Sequence, residues 1–395
     1  MKNNLYRKGK EMSNRIYLVG GDHHNGLGLA RIFGKNNFKV SCLVIAEVEA
    51  SFLSHSKYVD ELKIFQTEKK AFDYLSSLPG SLDKAFIIPY SDGAAYELDT
   101  RLNEFNIKFY VPSINNEKNA IAYMMEKQNQ YNFALKEGIP VAYTVVVNLK
   151  ENISYQLKEM VYPCIIKPVI SAEGDKRDIA VCQTYEALLN KLEEYRRKEY
   201  KRALVQEYLK IDYEIDVFGC ITKSEPYIFQ IPTKTIRSWP IAGGTNSFSK
   251  IITDEKIIKK CKSILEKLKV QGFWGLYDVE LFVVNGDVYL NEINYRNSGD
   301  VYMGVKQGYF YPIAWVMDCL NLPYKLLENP LIDSYTMTEC ADIRNVLIGE
   351  IKLLDWLRDV RNCSDFALWS SDDMKPVIYR YGYYIKQFIK RRGYK

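Results

Sequence analysis

The sequence predicts an α/β protein: an N-terminal doubly wound parallel-sheet domain, a larger mixed region of strands and helices behind it, and a helical C-terminal tail. Three observations predict it. First, the short apolar runs IYLVG (16–20), VSCLVI (40–45) and AFIIPY (85–90) alternate with helical stretches, the pattern of βαβ units. Second, from Val141 onward, strands rich in Val, Ile and Tyr alternate with two amphipathic helices. Third, 395 residues exceed what one simple core accommodates, so two or three domains are expected.

The N-terminal domain is expected to end near Pro112, giving 1–112, 113–325 and 326–395 as the domain division. Its first loop, GDHHNGLGLARIF, has Gly26 and Gly28 correctly spaced for a dinucleotide fingerprint. Arg31 stands where the third Gly belongs, so NAD is not expected. The segment PSINNEK leads into a predicted helix over 117–137, stopped by Gly138-Ile139-Pro140. A second helix is predicted over 185–198 with Thr184 as N-cap. A third covers 254–269, capped by Thr253, with Ile257, Cys261, Ile264, Leu265 and Leu268 on one face. In the tail, Ile378, Tyr381, Ile385 and Phe388 would form one helix face and Lys386, Lys390, Arg391 and Arg392 another. Such a helix docks on the body with a solvated basic face or, on a sharper reading, meets a membrane surface.

Composition excludes several classes. A net charge of +5 is too mild to argue for nucleic acid. The three histidines, His23, His24 and His55, lie near the N-terminus and make a His-based metal site or a Ser-His-Asp triad improbable. Eight cysteines without a CxxC pair read as reduced thiols of a cytoplasmic chain. No apolar stretch reaches transmembrane length, and the basic N-terminus does not read as a secretory signal.

The strongest chemical signal is DVELFVVNGDVYLNEIN (278–294). Asn285-Gly286 between apolar runs signals a hairpin. Asp278, Glu280, Glu292 and Asn294 interrupt those runs, and carboxylates in apolar strands need a partner; oxygen ligands suit Mg²⁺. A two-residue turn would put Glu280 and Glu292 on opposite faces. Shared metal binding therefore predicts a three-residue loop, with Val283 opposite Asp287 and Asp278 opposite Glu292.

Three weaker signals accompany it. In VYPCIIKPV, Lys167 ends an apolar strand and must reach water, a cavity or an anion; SAEGDKR behind it has the composition of a flap. In ALVQEYLKIDYEIDVFGC, Glu207, Tyr208 and Leu209 offer backbone groups to a flat heterocycle, and Glu214 suits sugar hydroxyls. In PTKTIRSWPIAGGTNSFSK, Lys234 and Arg237 precede a Gly243-Gly244-Thr245 loop, either a phosphate site or a solvated surface loop. YSDGAAYE adds Asp92 at the end of a parallel strand, a position where ligands collect.

In this order and spacing the four pieces resemble the ATP-grasp superfamily over about residues 14–325. MEKQNQYNFALKEGIPVAYT resembles the family's opening segment, which implies a nucleotide contact for Lys127. YPCIIKPV matches the strand whose Lys, here Lys167, holds ATP phosphates. VQEYL matches the hinge between the two lobes, implying that Glu207, Tyr208 and Leu209 line adenine and that Glu214 meets ribose. VELFVVNGDVYLNEINYR resembles the metal hairpin, implying Mg²⁺ (or Mn²⁺) on Glu280, Glu292 and Asn294 and a transition-state or substrate role for Arg296. KTIRSWPIAGG and the tail resemble amino-acid or carboxylate–amine ligases, among them D-aspartate ligases and polysaccharide-cluster relatives. The chain departs from the family pattern in a flap with a single Gly, and in Asp278, which precedes the usual first metal ligand by two positions and competes with Glu280.

The resemblance implies an ADP-forming ligase that joins a small carboxylate to an amine through an acyl phosphate, with Lys167, Arg237 and Arg296 as the catalytic set and Lys127 and Lys234 beside the phosphates. A kinase on the same scaffold and a non-catalytic nucleotide-binding module are the alternatives. A homodimer is the default assembly.

Overall fold

The computed structural model describes residues 15–48, 50–79, 84–169, 178–225, 227–241, 244–324 and 332–392, the stretch 384–392 as backbone alone. Strand β1 (Arg15–Gly21) is buried on both faces. It is the centre of an all-parallel sheet ordered β3-β2-β1-β4-β5, with β2 (Lys39–Ile45), β3 (Glu61–Phe65), β4 (Ala85–Pro89) and β5 (Phe109–Tyr110). Ile16 and Leu18 pack with Leu27 and Phe33 of α1 (His24–Lys35). Tyr17 and Val19 pack with α2 (Glu68–Ser77), α3 (Asp92–Thr100) and α4 (Leu102–Phe105). Helices on both faces make the sheet doubly wound, as the alternating pattern predicts.

A short strand β6 (Ser113–Ile114) leads to α5 (Ala120–Met124) and α6 (Lys127–Glu137). The predicted single helix over 117–137 is thus two, because Glu126 takes an extended conformation (φ −73, ψ 125) at the break. Gly138, at φ +66, ends α6 as expected.

A small antiparallel sheet follows, ordered β7-β10-β8-β9, from β7 (Thr144–Asn148), β8 (Cys164–Lys167), β9 (Ala180–Cys182) and β10 (Arg202–Glu207). Val147, Ile166 and Val205 turn one face toward α7 (Ile153–Gln156) and α8 (Tyr185–Arg197). Thr184 caps α8 by accepting from the Ala187 N–H, as predicted. The SAEGDKR segment lies outside the described residues.

The large sheet is ordered β15-β14-β11-β12-β13-β16-β17. It contains β11 (Tyr213–Ile221), β12 (Ile228–Trp239), β13 (Thr245–Ile251), β14 (Phe273–Val284) and β15 (Asp287–Asn294). Ile215, Val217 and Val279 bury one face under α9 (Glu255–Val270). Phe218, Cys220 and Leu276 bury the other against α10 (Tyr311–Cys319). The apolar stripe of α9 is the predicted one, but its cap is not Thr253: Asp254 accepts from the N–H groups of Lys256 and Ile257 at 2.8 and 3.4 Å.

The tail is more regular than its sequence suggests. β16 (Tyr335–Met337) and β17 (Cys363–Phe366) extend the large sheet, with α11 (Glu339–Leu347) and α12 (Leu353–Asn362) between them. The last helix, α13 (Lys375–Arg392), docks on the N-terminal domain: Tyr379 stacks on His55 at 4.2 Å and Arg380 pairs with Asp22 at 3.1 Å. Pro376 and Val377 are buried, while Ile378, predicted to face inward, is 66% exposed. The side chains of Ile385, Phe388 and the basic set 386–392 lie outside the described residues.

Candidate active site

The metal hairpin differs from expectation in an informative way. The turn is the two-residue Asn285-Gly286, both at positive φ (50 and 79), and Val284 pairs with Asp287, not Val283. The extra residue that parity demands sits inside β15 instead: Leu281 pairs with Leu290 and Glu280 with Glu292, leaving Asn291 as a bulge. Asp278 therefore faces Asn294 rather than Glu292, and all four groups share one face, as shared function requires.

Two adjacent rows of side chains result. One runs Glu292, Glu280, Asp216 across β15, β14 and β11; the next runs Asn294, Asp278, Phe218. Glu214 lies on the same face of β11, exposed at the rim. Burial, followed by repulsion from Glu292 and Asp278, raises the Glu280 carboxyl to about 7. Burial, then the charges of Glu280 and Asp278, raises Asp216 well above the ordinary carboxylate range. Asn291 donates to Glu280 at 3.1 Å. Asn294, 8% exposed, has an Nδ2 with no hydrogen-bond partner among the described residues, a donor left for an acceptor from outside.

Facing these carboxylates are two lysines. Lys127 begins α6 and reaches Glu292 at 3.6 Å. Gln130, one turn on, exchanges two hydrogen bonds with the Ile293 backbone and so pins α6 to β15. Lys167 ends β8; burial and the neighbouring Lys127 lower its ammonium to about 8. Both line a small open pocket, together with Thr144, Leu204, Gln206 and Asn291. At its edge, Glu207 and Tyr208 use their N–H groups on Tyr143 and Pro163, while the Leu209 N–H bonds to no protein acceptor among the described residues.

On the other side of the rows stands Arg296. It is ion-paired with Asp278 and with Asp92 at 3.1 Å; burial alone would lower its guanidinium, but these two carboxylates outweigh burial and raise it. Asp300 lies beyond, raised to about 7 by burial and then by Asp278. Asn246 donates to both Asp216 and Asp300, at 3.2 and 3.4 Å.

Two predicted residues are not brought to this place. Arg237 forms a fork with Asp342 (2.9 and 2.7 Å) and pairs with Asp359 at 3.0 Å, so it fastens the tail. Lys234 pairs in register with Ile215, on the α9 face of the sheet, and lies 4.1 Å from the Tyr213 ring. Strand parity separates Lys234 from the acidic face, and Arg237 sits at a break in register between Thr235 and Ser238 that leaves it to the tail. Asp216, Asp300 and Asn246 are the residues that sequence reading missed; the signal for Asp216 was its two-residue spacing from Glu214. His23 and His24 stack at 3.8 Å and are held neutral, His23 at about 4, by burial first and by Arg380 among nearby charges. No three His, Cys, Asp or Glu side chains among the described residues form a metal cage by themselves.

Residues 132–307 match the family described as ATP-grasp domain. That stretch, less than half of the chain, is similar to ATP-grasp domains. Curated relatives of that domain include formate-dependent phosphoribosylglycinamide formyltransferases. That of Wolinella succinogenes is 27% identical over 195 residues, 45% of this chain and 46% of the relative. That of Corynebacterium jeikeium is 24% identical over 251 residues, 60% and 58%. The chain thus spans about half the length of these relatives. Among solved structures, N5-carboxyaminoimidazole synthetase from Staphylococcus aureus with ADP has a TM-score of 0.63 at 15% identity, covering 85% of each chain. A carboxyaminoimidazole ribonucleotide synthase from Aspergillus clavatus with ATP gives 0.62 at 18%, covering 82% of each. These likenesses establish an ATP-grasp fold for the whole arrangement of parallel-sheet domain, small sheet and large sheet.

Proposed function

We propose that the protein is an ATP-dependent carboxylate–amine ligase that forms an amide through an acyl phosphate and releases ADP and phosphate. The observation that carries this reading is the row Glu292, Glu280, Asp216 set beside two lysines: Lys127 reaches Glu292 at 3.6 Å, and the Lys167 ammonium feels the charges of Glu292 and Glu280. Cations for a triphosphate and oxygen ligands for its metal stand side by side there.

ATP lies between the two sheets, with its base at Glu207, Tyr208 and Leu209, where a free N–H is available, and its ribose toward Glu214. Lys127 and Lys167 hold the phosphates. Glu280, Glu292 and the Oδ1 of Asn294 fit Mg²⁺ or Mn²⁺, a metal commonly held by one or two carboxylates plus substrate phosphates. Asp278, neutralised by Arg296, is left to orient that arginine. When bound, the metal offsets charge on the triphosphate as the γ-phosphoryl moves. A substrate carboxylate oxygen bonds to the γ-phosphorus as the bond to ADP breaks. The amine nitrogen then bonds to the carbonyl carbon, phosphate leaves, and a proton is lost from nitrogen. Arg296, aimed by Asp92 and Asp278, steadies the carboxylate and the developing charge.

Asp92 and Asp300 flank Arg296, carboxylates that favour an amine-bearing substrate over a phosphorylated one. The domain division at 112 and 325, a homodimer and a cytoplasmic setting belong to the same reading. No helix among the described residues is long and apolar enough to cross a membrane.

ADP release from Mg-ATP, measured over a matrix of carboxylates and amines, tests the proposal. Turnover that needs both partners and is lost in Glu292→Ala supports it. Turnover with a hydroxyl compound alone would identify a kinase, and ATP binding without turnover for any pair would favour a binding module.

A further inference from the structure

Helix α12 (Leu353–Asn362) is inside out. It has no buried residue, although three of its ten positions are leucine. Helical periodicity puts Leu353, Leu354 and Leu357 on one side and Asp355, Trp356 and Asp359 on the other. The polar side faces the protein: Asp359 pairs with Arg237 at 3.0 Å and the Trp356 N–H donates to Asp342 at 3.0 Å. The leucines point outward, Leu354 being 77% exposed. The turn before the helix extends the patch with Leu347, 76% exposed, and Ile348. Surface leucines usually stand singly; five exposed aliphatic residues within eleven positions of sequence mark a contact.

The charges around the patch say what it meets. Lys352, Arg358 and Arg361 are exposed on or beside the leucine face. Asp355 is paired with Arg358, and Asp359 and Asp342 are turned inward onto Arg237. Glu350 is the exposed carboxylate between α11 and α12. An aliphatic face rimmed by Lys and Arg is the composition of a helix that lies in a lipid interface. A second copy of the chain would bring the same basic rim to both sides of the contact.

We propose that α12 and the turn before it form a peripheral docking surface for an anionic lipid bilayer. The leucines enter the headgroup boundary while Lys352, Arg358 and Arg361 meet lipid phosphates. The helix N-termini and the acidic face of the large sheet take no part. The surface belongs to α12; the basic side chains of α13, whose sequence first suggests a membrane, lie outside the described residues.

The test is co-sedimentation of the full chain with vesicles of phosphatidylcholine alone, or mixed with phosphatidylglycerol. The protein should pellet with the mixed vesicles and leave them as salt is raised. Leu354→Glu/Leu357→Glu should abolish pelleting without lowering Tm, because both side chains are exposed. Arg358→Glu/Arg361→Glu should weaken it by at least about twentyfold, taking about fivefold per basic residue near an anionic surface. Ile107→Glu, exposed on the N-terminal domain, should bind as wild type does. Three results would each overturn the proposal: no pelleting, equal pelleting with neutral vesicles, or a wild-type dimer that the leucine variant converts to monomer, which would assign the face to a second copy.

Discussion

Two titrating groups face each other across the cleft, and each gives the proposed chemistry a pH signature. Glu280 binds a metal only as a carboxylate. Its carboxyl is raised to about 7, so protons compete with metal below that value. Metal affinity, followed calorimetrically with ATP, should rise with pH up to about 7 and level off above it. Glu280→Gln should remove the rise. Lys167 has the opposite sign: its ammonium, lowered to about 8, loses charge above that value, so affinity for ATP without metal should fall there. Lys167→Gln should be weaker at every pH and show no such fall. Glu292→Ala should cut ADP release by on the order of a thousandfold, the several kcal/mol expected of metal-assisted charge stabilisation, while the protein still melts cooperatively.

At the level of single elements, local chemistry was legible where one rule decided the outcome. Thr184 caps α8 and Gly138 ends α6, because a hydroxyl at an N-cap and a left-handed residue at a C-cap satisfy the helix ends with no outside help. Where two rules competed, the sequence was ambiguous. Thr253 and Asp254 both suit a cap, and the carboxylate holds it with two N–H bonds. Asp254→Ala should lower stability by about 1 kcal/mol in a denaturant titration, and Thr253→Ala by much less. The hairpin shows the same limit. Parity required one extra residue between Glu280 and Glu292, and that requirement held. Asn285-Gly286 is too good a two-residue turn to yield, so the extra residue went to Asn291. Gly286→Ala should destabilise by about 1–2 kcal/mol, the cost of an L side chain in the left-handed region. Lys234 and Arg237 were misplaced because their strand position, and hence their face, depends on pairing partners far away in sequence.

Across the whole molecule, the tail holds the parts together. Arg31 of α1 pairs with Asp373 at 2.9 Å and donates to the Leu368 carbonyl, while Arg237 grips Asp342, whose side chain is 0% exposed, and Asp359. Such long-range buried pairs leave no local pattern, which is why the tail reads as irregular in sequence. Arg237→Met leaves the buried Asp342 without its cation, with only the Ser247 hydroxyl and the Trp356 N–H to satisfy it. It should cost about 3–5 kcal/mol and expose α11 and α12 to hydrogen exchange before the parallel sheet. The proposed ligase needs every part at once: the small sheet for phosphates, the large sheet for metal, the N-terminal domain for Asp92 beside Arg296. The most direct measurement of that claim follows the carboxylate oxygen. With a carboxylate labelled by heavy oxygen, Mg-ATP and the paired amine, mass spectrometry of the released phosphate should find one labelled oxygen, carried over through the acyl phosphate. Phosphate released without label during amide formation would contradict the account.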